Sequence, residues 1–396
     1  MRNFTYLIFV ALTFFCWGTY GPTLHQGQSG MGADGQLSLL RPIICVGIAY
    51  FLIAVIFPVA ILVTRGEPGS WSFSGFWWSF IAGALGAFGA LGITLAFKFQ
   101  GKPIYVMPLV FGCAPIMNTL VTMAMAKTFR QANVLFLIGI AMVALGAAGV
   151  LINKPSAKKA AWISNSGVLN LQASTQESDK APQSSQETVV PKTSEEDPID
   201  SSDPTNSATP EVDKTVRPGM VKNAMSEATD WLMVILGIAT TAICWGAYGP
   251  VLHKGQARMS GSRLRPFLCV GLAYFAIAVV IPYWALTRYP EPGTWISSNG
   301  FLSSGAIWSL GAGALGAIGA LGIIYAFNFG GKPVFVMPLV FGFAPVVNTL
   351  VETTSKGLLS EIKPYFYPSL ALVILGAIMV LVFAPKSTPK PATETK

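Results

Sequence analysis

Ten apolar runs, each near the length of helix that crosses a bilayer, constrain this chain more than any other feature. They lie at 4–25, 40–63, 77–97, 104–125, 134–152, 231–253, 266–286, 305–327, 334–352 and 365–384. About 20 residues of helix span the ~30 Å of hydrocarbon in a membrane. No water reaches that depth, so every backbone amide needs an internal partner and the runs must be helices. A membrane β-barrel would alternate apolar and polar residues, and these runs do not. Composition agrees, with 52% apolar residues and only 11% charged ones, against roughly 25% charge in soluble proteins. The expected fold is all-α, with ten transmembrane helices and the lipid bilayer as solvent.

The charges sit mostly outside those runs. Asn153 to Asp230 holds 12 of the 18 acids and 8 of the 26 bases, which leaves 6 acids and 18 bases for the rest. A basic excess can mark a nucleic-acid partner, but these Lys and Arg stand singly between apolar runs, without a basic stripe carrying interleaved aromatics. Anionic headgroups and membrane boundaries account for them, so no nucleic acid is expected. The five cysteines (16, 45, 113, 244, 269) have no metal-ligand spacing and no CxxC, so unpaired thiols are expected and no metal or cofactor is implied.

The chain is also a duplication. Cys16-Trp17-Gly18-Thr19-Tyr20-Gly21-Pro22 through His25 returns as Cys244-Trp245-Gly246-Ala247-Tyr248-Gly249-Pro250 through His253. Leu40-Arg41-Pro42 with Cys45-Val46-Gly47 returns as Leu264-Arg265-Pro266 with Cys269-Val270-Gly271, and Glu67-Pro68-Gly69 as Glu291-Pro292-Gly293. GALGAFGALGI from Gly83 returns as GALGAIGALGI from Gly313, followed in both halves by Gly-Lys-Pro and Met-Pro-Leu-Val-Phe-Gly. The offsets are 228 (16 to 244), 224 (40 to 264) and 230 (83 to 313), so few insertions separate the halves. The domains read as 1–152, a first five-helix repeat; 153–230, a Ser/Thr/Pro/Glu-rich linker expected to be disordered; 231–385, the second repeat; and 386–396, a disordered tail.

Five is odd, so two such units in series enter the membrane in opposite senses as inverted five-helix repeats, a plan used by secondary transporters. The loop after the first run holds only Arg41 at its edge, whereas its counterpart holds Lys254, Arg258, Arg263 and Arg265, as opposite orientation would require. Counting Lys and Arg over all short loops favours both termini in the cytoplasm of a cell, with a bacterial inner membrane as the expected location.

Several residues are candidates for function. Gly21-Pro22 and Gly249-Pro250 fall inside apolar runs, where proline removes a donor and crowds the carbonyl four residues back, so a break or kink is expected. Trp17, Thr19, Tyr20, Trp245 and Tyr248 lie within a turn of these positions and are candidates to line a substrate cavity, although Trp and Tyr also serve as packing or interface anchors. Pro108, Pro115, Pro338 and Pro345 interrupt the fourth run of each half, with Asn118 and Asn348 one turn on; those amides could bind solute, but a neighbouring helix is the better expectation. Arg41, Lys102, Arg265 and Lys332 open runs, where snorkelling to the boundary is the ordinary role and a charged gate or anion contact the sharper one. The Gly/Ala stripe from Gly83 lacks the Gly-Lys-Ser/Thr of a nucleotide loop and reads as a tight helix-packing face. His25 and His253 are the only histidines, and inversion would part them. Glu352 is the one carboxylate inside a run. No paired acids, nucleophile–base pair or metal cluster is evident, so enzymatic chemistry is the weaker class.

These features resemble the drug/metabolite transporter superfamily in its EamA-like branch. The resemblance rests on Trp17-Gly18 and Trp245-Gly246 in the first helix of each repeat, Arg41 and Arg265 opening the second, the small-residue third, and Pro115 and Pro345 in the fourth. The Leu-Gly-Glu usual after the fourth helix is missing, with Lys127 to Arg130 in its place and only Leu359-Ser360-Glu361 similar in the second half, which sets the chain apart as a divergent member. The resemblance implies alternating access and a small organic metabolite as substrate. A lipid or lipid-linked-sugar flippase, and a non-transporting sensor or scaffold, also fit ten apolar helices. The chain could pair with a second copy as a homodimer.

Overall fold

The computed structural model describes residues 5–154, 218–331 and 333–385, side chains at 218–226 and 333–335 excepted. Residues 155–217 of the expected 153–230 linker, the tail from 386 and Lys332 lie outside the described residues. The described residues up to Lys154 and from Glu227 onward belong to one compact unit.

The helices are α1 Thr5–Met31, α2 Leu40–Thr64, α3 Phe73–Lys98, α4 Pro103–Ala126, α5 Val134–Ile152, α6 Pro218–Arg258, α7 Leu264–Arg288, α8 Ser304–Asn328, α9 Pro333–Ser355 and α10 Phe366–Val382. Among the described residues, 9 helices are long and apolar enough to cross a membrane, and α10 is a shorter apolar helix. The chain is thus built as an integral membrane protein. Helix starts follow from local chemistry: the side chains of Ser72, Asn133 and Ser303 accept hydrogen bonds from the amides of Gly75, Phe136 and Ala306, capping α3, α5 and α8. Helix α6 begins at Pro218, ahead of the boundary expected at Trp231, because Met220 to Thr229 is rich in helix-forming residues.

The halves interlock rather than sit side by side. Helix α1 packs on α8 and α9, α2 on α7 and α8, α3 on α7, and α5 on α10. Small residues set these contacts: Gly83 lies against Val270 and Ala273 of α7, and its copy Gly313 against Val46 and Ala49 of α2. The Thr13 hydroxyl donates to the Gly319 carbonyl (3.0 Å), and Thr241 to that of Gly89 (2.9 Å). The Gly/Ala stripes of α3 and α8 are thus the close-approach faces anticipated for them, where dispersion replaces a hydrophobic drive that lipid cannot supply.

Contact order gives the helix directions. Phe9 near the start of α1 stacks on Tyr325 and Phe329 at the end of α8, while Gly30 near the end of α1 touches Gly305 at the start of α8, so the two run antiparallel. Helix α6 treats α3 the same way, with Gly237 against Gly92 and Gly255 against Ser79. Lys154, just past α5, lies 3.2 Å from the Trp231 ring centroid and 5.4 Å from that of Tyr105, gathering the end of α5 with the start of α4 and with α6 at Trp231.

Where a break or kink is expected, at Gly21-Pro22, Gly249-Pro250, Pro115 and Pro345, the chain does not unwind: α1, α6, α4 and α9 continue as helix through them. In hydrocarbon an unwound turn strands several backbone groups, against one lost hydrogen bond at a proline. Four residues before Pro22 and Pro250 stand Gly18 and Gly246, whose backbone can tilt its carbonyl clear of the ring. The glycines beside these prolines act by contact instead. Gly18 sits on Ala344 and Val347, Gly246 on Ala114 and Met117, Gly21 on Met107 and Asn348, and Gly249 on Asn118. The irregular turns lie elsewhere, as matched π-helical segments at Leu52–Ile56 in α2 and Phe275–Val280 in α7. Each precedes a proline, Pro58 or Pro282, in the first turn of resumed α-helix, where the wider π turn absorbs the missing donor.

Candidate functional site

Two matched clasps join the halves, and each is made by an arginine that opens a helix and a Glu-Pro-Gly turn from the other repeat. The Glu291 carboxylate accepts from the Ser38 hydroxyl (2.7 Å) and from the backbone amides of Leu39 (3.1 Å) and Leu40 (3.1 Å). Those amides are the free donors at the start of α2, where an anion also meets the positive end of the helix dipole. Arg41 reaches back, donating to the carbonyls of Glu291 (2.6 Å) and Pro292 (3.0 Å). Its guanidinium stands 3.8 Å from the Glu291 carboxylate, and both side chains are largely buried.

The copy repeats this arrangement. Glu67 accepts from the Ser262 hydroxyl and from the amides of Arg263 (3.0 Å) and Leu264 (3.2 Å), and Arg265 donates to the carbonyls of Glu67 (3.2 Å) and Pro68 (3.4 Å). Arg41 and Arg265 therefore turn into the clasps rather than snorkel, donating through their terminal nitrogens while each Nε stays buried without a partner. A cleft of about 400 Å³ lies beside the second clasp, lined in part by Glu67, Arg263, Tyr325 and Asn328.

Between the clasps lies an aromatic centre drawn from both halves. Tyr50 of α2 and its own copy Tyr274 of α7 stack face to face, centroids 3.8 Å apart and planes 1° from parallel. Tyr20 of α1 meets Trp245 of α6 edge-on at 6.0 Å, and Phe111 of α4 lies 6.4 Å from Trp245 and 6.2 Å from its copy Phe341. Tyr248 borders the same buried cluster beside Tyr50. The Tyr20 hydroxyl is buried without a hydrogen-bond partner. Phenol groups and π faces, with no formal charge among them, suit a neutral solute with a flat or apolar face.

The predicted residues divide accordingly. Tyr20, Trp245 and Tyr248 come together at this centre. Trp17 and Trp245 each give the indole N–H to a backbone carbonyl of the opposite half, Gly316 (3.3 Å) and Gly86 (3.2 Å). They therefore tie α1 to α8 and α6 to α3 across the repeat interface. Thr19 returns its hydroxyl to Phe15 and Cys16 of its own helix, away from the centre. Asn348 is fully buried and donates to the Pro103 carbonyl (2.9 Å), a neighbouring-helix role, while Asn118 faces Gly249. Lys102 precedes α4 beside its first turn. Outside the spans, burial holds the Lys154 ammonium below the ordinary lysine range, with Glu227 acting against that effect and Lys102 adding to it.

Sequence reading passed over Tyr50, Tyr274 and Phe111, although Tyr50 and Tyr274 recur at the offset of 224 that relates Arg41 to Arg265. It noted Glu67 and Glu291 as a repeated turn without assigning them a partner.

No family model matches this chain, and no curated protein matches it. The functional reading therefore rests on the residues themselves.

Proposed function

We propose that this chain is a secondary transporter of a small, uncharged organic metabolite, working by alternating access across a cell membrane such as a bacterial inner membrane. The observation that carries the reading is the pair of matched clasps. Each repeat holds the other at one end, around a shared aromatic centre. A static scaffold has no need of two equivalent fastenings, whereas a protein that opens to one side at a time needs one at each face.

The inverted arrangement belongs to this proposal. It is supported by the antiparallel course of α1 against α8 and of α6 against α3, given that α8 is the repeat copy of α3. It is supported also by Gln28, late in α1, donating to the carbonyl of Thr94, late in α3 (3.0 Å). The similarity to EamA-like transporters is part of the same reading. Reporter tags inserted after Asp34 and after Gly261 should report opposite sides of the bilayer, and the same side for both would end the inverted reading.

For the solute, a thermal-stabilisation screen of purified protein against neutral metabolite classes identifies a ligand, and flux of that ligand is then followed in liposomes. Leucine at Trp17 or Trp245 should cut flux at least tenfold while the protein still folds; undiminished flux in both would remove the aromatic centre from the pathway. Removing residues 172–215 should leave flux intact, where a scaffold or sensor acting through that segment would lose its function.

A further inference from the structure

Helix α9 carries a carboxylate that the other repeat lacks. Glu352 stands where the first half has Thr122, and Lys356 where it has Ala126. In a chain whose clasps and aromatic centre are duplicated, this pair is confined to one half. The Glu352 side chain is 1% exposed. Lys356, one turn on and about a third exposed, brings its ammonium to 2.9 Å from Oε2 as an ion pair. The approach is close but not aligned for hydrogen bonding, and neither carboxylate oxygen has an aligned donor.

The surroundings are short of donors too. Asn348, four residues earlier on the same helical face, spends its amide N–H on Pro103 and leaves Oδ1 buried without a partner. Helix α1 runs parallel to α9 here, with Gly18 at Ala344 and Val347 and Gly21 at Asn348, and that register carries His25 to the level of Glu352. Lys102 immediately precedes Pro103, whose carbonyl Asn348 engages, which brings Lys102 to the same end. Among the described residues, the elements packed against α9 bring Tyr20 and His25 from α1 and Lys102 and Tyr105 from the start of α4, with Lys356 on α9 itself and Glu361 and Lys363 in the turn beyond it. Helices α8 and α10 bring no charged side chain.

We infer that Glu352 is a proton-binding site coupling a proton to the transport cycle, with Lys356 as its tethered counter-ion; this rests on the transporter reading. A proton taken from water at this end converts the carboxylate to the acid. The new O–H supplies the missing donor, for which Asn348 Oδ1 is the unpartnered acceptor on that face. Lys356, its counter-charge gone, turns out to solvent, and the seam between α1 and α9 gains one positive charge. Loss of the proton restores the ion pair. A bare metal ion fits less well: it needs several oxygen ligands at once, and no group of three or more His, Cys, Asp or Glu side chains occurs among the described residues.

Infrared titration of the purified protein in lipid nanodiscs tests the site without any substrate. A buried-carboxyl C=O band should rise as pH falls, vanish in Glu352→Gln and persist in Glu361→Gln. In Lys356→Met, which keeps the carboxyl should the Gln variant misfold, the band should appear at a pH at least one unit higher, a tenfold gain in proton affinity. A band unchanged in Glu352→Gln, or unmoved in Lys356→Met, overturns the site. Coupling is read separately in liposomes with the ligand from the stabilisation screen: a pH gradient should drive accumulation in the wild type and not in Glu352→Gln. Wild-type flux indifferent to the gradient overturns the coupling and leaves the transporter reading standing.

Discussion

The clasps can be opened one at a time, and the two native cysteines behind them report which end has loosened. Glu291→Ala removes an acceptor that holds one hydroxyl and two backbone amides at 2.7–3.2 Å. Hydrogen bonds to a charged group contribute about 1.5–3 kcal/mol each. The Glu291 side chain is 18% exposed and water can rehydrate part of what it leaves, so we take a net loss of about 3 kcal/mol for the closed clasp. At about 1.4 kcal/mol per tenfold, the open form at that end should become roughly a hundredfold more populated.

Cys45 is 4% exposed, one turn past Arg41, and Cys269 is fully buried behind Arg265. With the other three cysteines replaced by alanine, a water-soluble maleimide should label Cys45 up to about a hundredfold faster in Glu291→Ala, the rate following the open population. Glu67→Ala should accelerate Cys269 instead. Faster labelling of the same cysteine in both variants, or of neither, would refute the assignment of one clasp to each end.

Other outcomes follow from single contacts. Gly305→Ala should lower the melting temperature, because the added methyl meets the backbone of Gly30 and Met31, and overpacking of this kind costs about 1–3 kcal/mol. Gly311→Ala should be neutral, since its nearest neighbour, a methyl of Thr23, is 3.8 Å away. A double-mutant cycle on Tyr50→Leu and Tyr274→Leu should return a coupling of about 0.5–1.5 kcal/mol from the lost stack; a value near zero would mean that the rings touch without interacting. Lys154→Met should cost about 0.5–1 kcal/mol through the cation–π contact with Trp231, read as a small fall in melting temperature, and Lys154→Arg should restore it.

The helices were legible because their cause is local: hydrocarbon forces every apolar run of sufficient length into helix, so ends such as Leu40 and Val134 follow from the sequence alone. The duplication was legible as spacing. What spacing cannot supply is which surface meets which. Arg41 and the Glu291 turn are both visible as repeated blocks, yet their union spans 250 residues and exists only once the halves interlock. The prolines misled for a related reason. Rules learned in water count the lost hydrogen bond at Pro22 and overlook that a broken turn in lipid costs more. Glu352 reads as isolated in the sequence because Lys356 lies beyond the end of its apolar run and spacing does not show that the Asn348 side-chain carbonyl oxygen is left without a donor.

The stack of Tyr50 on Tyr274 has a consequence for descent. A residue can touch its own copy only on the axis relating the two copies, so an unfused ancestor of a single repeat, assembling as a pair, would have laid this tyrosine against itself. In such an ancestor every substitution there struck both faces of the central site at once. In one fused chain the two tyrosines are separate positions, so each face can be shaped for a different contact.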